Sequence, residues 1–215
     1  MCCFQGRLMA SCVVDWVNVF VSISLSTTAL HSSYKLFKEH RAPSVGLFML
    51  GLSAALCVFD SSSSNSLQRE AEWAAKVLAP ALVSFDFLWL SKDPSTAFIL
   101  LSGSCLLIGL TDWLSSDSLT VMTRCLGLSS LSCCLTVCLF AGNALGAVGG
   151  VALTLPLLMT PSVGVNVSTP IISPTAADGL LKCLLNGTLS LGCWASRLAL
   201  SRFLQDVTEH CHISL

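Results

Sequence analysis

Charge is what this sequence has least of. Charged residues fill 11% of its 215 positions, with 11 lysines and arginines against 12 aspartates and glutamates. Typical soluble domains carry about 25%, and a soluble fold of this size could not cover its surface with so few. A net charge of −1 also excludes a broadly basic nucleic-acid binder, so no nucleic acid is expected as a partner. Catalytic signatures are missing too. There is no Gly-rich phosphate loop, no Gly-x-Ser-x-Gly, no His-Glu-x-x-His, and no carboxylate pair in a register typical of di-metal sites. The 12 cysteines form no Cys-x-x-Cys pair, which excludes zinc ribbons and thioredoxin-like redox chemistry. No cofactor and no metal are expected. The tail Glu209-His210-Cys211-His212 has ligand-type residues, but its spacing closes no site.

What is abundant is apolar. Hydrophobic residues make up 53% of the chain and mean hydropathy is +0.77. The long runs are continuous rather than alternating, which excludes a membrane β-barrel. The reading is an all-α, polytopic transmembrane helix bundle that forms a single multi-pass membrane domain over residues 1–215. A crossing needs about 20 largely apolar residues, and seven runs qualify as candidates: 8–30, 43–59, 73–90, 94–114, 119–141, 144–159 and 180–200. The run from Leu119 to Met159 is too long for one crossing, and Ala141-Gly142-Asn143 is the natural place to turn. That turn is very tight, so six helices is the alternative count.

The connections are short and polar. Segment 31–41 holds Lys35, Lys38 and Arg41, against Arg7 alone before the first run. The positive-inside rule therefore places this loop in the cytoplasm and the N-terminus outside. On that reading Asn166-Val167-Ser168, an acceptor sequon in a proline-rich connection, faces out as a glycosylation candidate. The other sequon, at Asn186, lies inside the last run and should be unused. Cys2 and Cys3 lie outside the first apolar run and are acylation candidates. Most other cysteines fall within apolar runs, where a thiol packs as a small hydrophobe.

Punctuation repeats along the chain. Lys38-Glu39 then Pro43-Ser44, an apolar run, Asp60 and a serine cluster is echoed by Lys92-Asp93, Pro94-Ser95, an apolar run, Asp112 and a second serine cluster, the closing Asp and serines being offset by 52 positions. This suggests a two-helix internal repeat, of a kind from which membrane proteins are often built.

Ionisable groups inside the bilayer need a reason. Lys76, Arg124, Lys182 and Arg197 sit near run ends, where their long side chains can snorkel to the headgroups. Asp15 and Asp86 are too short for that. Asn18 lies one turn from Asp15. With Asn186 these form the polar intramembrane candidates, either ligands for a cation, proton or headgroup, or interhelical hydrogen-bonding groups. Gly142, Gly146 and Gly150 form a small-residue ladder at spacing four, and Gly192 with Ser196 offers a narrow face for it to pack against. A second membrane protein or a second copy of the chain is the other partner such faces would take, besides the lipid bilayer itself.

The leading expectation is a non-enzymatic assembly or interaction subunit of a membrane, the organelle being unspecified. The alternatives are a small-solute or ion transporter or channel using Asp15 and Asp86, and a lipid-modifying membrane enzyme.

Overall fold

The computed structural model describes the backbone of residues 2–38, 40–59, 66–159 and 174–213, and side chains within 16–38, 40–58, 68–159 and 179–203. Seven α-helices and no strand occur among these residues: α1 Cys2–Leu36, α2 Arg41–Phe59, α3 Ser66–Leu90, α4 Pro94–Gly109, α5 Ser116–Phe140, α6 Ala144–Met159 and α7 Pro174–Ile213. The count matches the seven apolar runs. The helices that flank polar loops extend past those runs, because a helix continues until its backbone is capped, not until its hydrophobicity ends. So α1 reaches Leu36 and α3 starts at Ser66, whereas α4 stops at Gly109 rather than at Leu114.

The tight turn at Ala141-Gly142-Asn143 is present, and its chemistry explains why three residues suffice. Gly142 has φ +66°, a left-handed conformation that glycine adopts without penalty. The N–H of Asn143 reaches back to the carbonyl of Cys138 (2.8 Å), which closes α5. The Asn143 side chain then accepts from the Gly146 N–H (3.1 Å) and so caps the start of α6. Fifty positions earlier the α3–α4 turn is built the same way. Lys92 takes φ +64°, the Asp93 N–H donates to the Leu88 carbonyl, and the Asp93 carboxylate accepts from the Thr96 N–H. The α1–α2 connection is one residue longer.

Helix α3 is the hub, packed against α2, α4, α5 and α6. Helix α1 lies between α2 and α7, and α7 between α1 and α6, so α1, α2, α3, α6 and α7 close a ring around one core. Phe87, Leu47, Leu50, Leu153, Leu189 and Leu200 fill it, with small residues such as Ala29, Ala75, Ala79 and Ala199 at close approaches. Helices α4 and α5 flank α3 on the other side.

The outer surface is apolar. Trp16, Phe20, Ile99 and Leu139 are each more than 70% exposed, which water would not tolerate over so wide an area. Among the described residues, three helices are long and apolar enough to cross a membrane, over Arg41–Val58, Gln68–Leu90 and Ser116–Phe140. At 16 residues each, α4 and α6 are roughly 24 Å long, short of the roughly 30 Å hydrocarbon core. The many serines and threonines fit this setting because their hydroxyls bond to their own helices. Thr27 donates to the Ile23 carbonyl, Ser104 to Leu100, Thr136 to Ser132 and Thr154 to Gly150.

Candidate polar sites in the bundle

Asp86 lies near the C-terminal end of α3, too deep for so short a side chain to reach bulk water freely. Its partner is His40, the residue immediately before α2. The His40 Nδ1 and Asp86 Oδ2 atoms are 2.5 Å apart, with His40 almost fully buried and Asp86 nearly so. His40 is itself fixed by both neighbouring helices. Its N–H donates to the Leu36 carbonyl at the end of α1 (2.7 Å), and its carbonyl accepts from the Ser44 N–H in α2 (3.2 Å). The ring therefore pins the α1–α2 connection onto α3. A cleft of about 390 Å³ lies beside the pair, bordered by Arg41, Phe85, Trp89 and Phe98. Phe85 and Trp89 stack with centroids 5.8 Å apart, and Phe98 meets both edge-on at 5.7 and 5.9 Å.

A second polar cluster sits toward the other end of α3. Glu72 and Lys76 pair at 2.6 Å across one helical turn, and the Cys57 thiol lies 3.5 Å from the second Glu72 oxygen. Asn186, buried in α7, donates to the Ser22 hydroxyl of α1 (3.4 Å). One turn on, the Ser190 hydroxyl donates to that of Thr28 (3.1 Å). Ser22, Ser53, Cys57, Glu72, Lys76 and Asn186 surround a cavity of about 10 Å³, room for at most one water.

Asp86 and Asn186 thus do not converge. Glu72 and Asp86 are fourteen residues apart on α3, roughly 21 Å, and Asn186 belongs with the former. Asn18 lies on α1 one turn from Ser22, with its Oδ1 buried and unpartnered among the described residues. Asp15 lies on α1, and its side chain is outside the described residues. By sequence Glu72 falls just outside the third apolar run, 73–90, and Lys76 reads as a snorkelling cation. The missed signal is the Glu72-x-x-x-Lys76 spacing, which pairs the two once α3 extends back to Ser66. His40 was hidden in the basic loop, with no local cue to its distant carboxylate.

The small residues serve close packing within the chain. A side chain at Gly149 would meet the Ser196 hydroxyl at 2.5 Å and its backbone N at 2.9 Å; one at Gly192 would meet Leu153 at 2.9 Å. These contacts seat α6 on α7. Gly150 would meet the Cys134 thiol at 2.6 Å, and Gly146 would meet Cys138, so this side of α6 faces α5 instead. Gly142 is in the turn rather than in the helix, with open space around it. The two ladder members within α6, Gly146 and Gly150, thus share a face toward α5, and it is Gly149, outside the spacing-four series, that meets Ser196 of α7.

Cys2, Cys3, His210 and His212 lie on the helical backbones of α1 and α7, but their side chains are outside the described residues, as is all of Asn166. Among the described residues, no three His, Cys, Asp or Glu side chains gather as a metal site requires.

A strand-free helical bundle with an apolar exterior and an interior bonded helix to helix defines an α-helical integral membrane protein. The chain is similar to transmembrane protein 276 of Bos taurus, at 26% identity over 139 residues, which covers 65% of this chain and 72% of that relative. The same protein of Mus musculus (26%) and of Homo sapiens (25%) is similar over the same lengths. No protein-family profile and no solved structure matches the chain.

Proposed function

We propose that the chain is a single multi-pass membrane domain that acts as a non-enzymatic assembly or interaction subunit. The observation that carries this reading is the interior. The cavity among Ser22, Ser53, Cys57, Glu72, Lys76 and Asn186 has room for at most one water, the cleft beside His40 and Asp86 is an open one bordered mainly by aromatic rings, and Asp86 bonds to the α1–α2 connection and Asn186 to α1. A solute pathway needs a wetted, roomy polar route, and an enzyme needs reactive groups that converge on a substrate-sized space. These side chains instead hold helices in register, as interhelical hydrogen bonds do in membranes. The orientation that goes with this reading puts the α1–α2 connection in the cytoplasm and Asn166 outside.

The test is extraction of the protein from its native membrane in mild detergent, followed by measurement of particle mass. The reading expects a defined complex larger than one chain in its micelle. A lone chain, together with proton or ion flux in liposomes that Asp86→Asn abolishes, would replace it with the transporter reading. Enzymatic deglycosylation should shift the mass of the wild type and not that of Asn166→Gln. An unshifted wild type argues against the orientation.

A further inference from the structure

Three hairpin turns lie at the same end of the bundle, joining α1 to α2, α3 to α4 and α5 to α6. Only the first is cationic. Lys35, Lys38 and Arg41 stand there against one acid, Glu39, whereas Lys92 is offset by Asp93 in the second and Ala141-Gly142-Asn143 carries no charge in the third. The first is also the one with an open apolar cleft directly between its two helices. Ser33 of α1 and Ser44 of α2 bond reciprocally, each hydroxyl donating to the other's carbonyl at 2.8 and 2.9 Å. That pairing draws the helix backbones together. It also satisfies both hydroxyls, so the floor of the cleft offers no free polar group. The larger neighbours Tyr34, Phe37, Val45 and Phe48 then stand as walls around a space of about 390 Å³. All four are largely exposed, Tyr34 by 76%. Lys35 follows Tyr34 at the end of α1 and Lys38 follows Phe37 in the turn beyond it, which places both cations at the membrane-surface end of the aromatic wall.

We propose that the α1–α2 cleft holds one anionic phospholipid, with an acyl chain against Tyr34, Phe37, Val45 and Phe48 and its phosphate at Lys35 and Lys38. Charge complementarity selects this occupant over the alternatives. No cation is in the lining itself, but Lys35 and Lys38 directly follow Tyr34 and Phe37; the apolar cleft lined by Leu106, Leu110 and Met122 is flanked by Asp112 as well as Arg124, and the one beside Ser91 and Thr96 carries Asp93, so neither of those favours an anion. A basic pocket between membrane helices at a surface level is where anionic headgroups bind. Arg41 adds to the local field, although its side chain borders the neighbouring Asp86 cleft. The assembly reading is not required for this site, and its failure would leave the lipid site standing.

The experiment reconstitutes the full chain in phosphatidylcholine vesicles containing one-tenth phosphatidylglycerol, extracts it gently, and identifies retained lipid by native mass spectrometry. The expected result is one retained phosphatidylglycerol, enriched over phosphatidylcholine. Lys35→Gln and Lys38→Gln, exposed changes made singly and together, should each lower that enrichment roughly fivefold. Val45→Trp should fill the cleft and lower retention of both lipids while leaving the helical spectrum unchanged. Equal retention of the two lipids overturns the proposal, as does enrichment indifferent to the lysine variants. Retention unaffected by Val45→Trp places the lipid elsewhere and overturns it too. A sterol retained from sterol-containing vesicles in place of phosphatidylglycerol, or a dimer that covers Tyr34 and Phe48, likewise replaces it.

Discussion

His40 and Asp86 are 46 positions apart in sequence and 2.5 Å apart in space. One belongs to the connection that enters α2 and the other to the last turns of α3. Their bond is what ties the first hairpin to the hub helix at that end of the bundle, and the behaviour of the two residues should be inseparable.

His40→Ala leaves the mostly buried Asp86 carboxylate without its partner, and about 3 kcal/mol of stability should be lost. Asp86→Asn keeps a hydrogen-bonding group opposite the ring and should lose less than half as much. Unfolding midpoints in detergent micelles measure both. The double variant should be little worse than His40→Ala alone; fully additive losses would show that the residues do not act as a pair.

Gly149→Ala places a methyl against the Ser196 backbone, which cannot yield as a flexible side-chain end can. Helices α6 and α7 must separate, at a cost of about 1 to 3 kcal/mol. Gly187→Ala is the matched control. It lies in α7 with nothing within 4 Å, and should be neutral or stabilising by up to about 1 kcal/mol. Equal effects from the two would remove close packing as the reason for Gly149.

Asn143 joins three helices. Besides capping α6, its amide donates to the Ala199 carbonyl of α7 at 3.0 Å. Asn143→Ala loses both bonds and should cost about 2 kcal/mol. Asn143→Asp restores the cap but not the amide donor, and should recover only part of the loss. A full recovery would mean that the bond to α7 contributes nothing.

Asp93 caps α4 from an exposed turn, and bonds from the Thr96 hydroxyl and N–H hold its carboxyl below its ordinary value of 3.8. A depressed acid contributes stability above its unfolded pKa and loses it as pH falls through the folded one. The wild type should therefore lose part of its α4 stability on acidification below about pH 4. Asp93→Asn caps without titrating and should lack that component. Thermal midpoints between pH 6 and pH 2.5 compare the two; parallel curves would exclude Asp93 as a contributor.

Much of the architecture was written in local chemistry. Continuous apolar runs with almost no charge dictate membrane helices, since backbone polar groups in hydrocarbon must be satisfied within the segment. Gly142 and Asn143 mark a turn because a left-handed position followed by a capping side chain ends one helix and starts the next in three residues. Those signals depend on neighbours a few positions away, which is why seven helices could be counted from composition and punctuation.

The polar partners could not be read that way. Whether Asp86 meets His40, or Asn186 meets Ser22 across 164 positions, depends on which helices become neighbours and at what height. That is fixed by the packing of small against large side chains over the whole ring. Spacing four proposed a single glycine face on α6. The tertiary structure turned that face, Gly146 and Gly150, toward α5 rather than toward Gly192 and Ser196, which pack instead on Leu153 and Gly149, because a helix turns 100° per residue and Gly149 lies on another side from its neighbours in the series. The sequence alone determined that this chain enters a membrane as helices. The tertiary structure decided which buried groups meet, because the contacts that satisfy them lie on other helices.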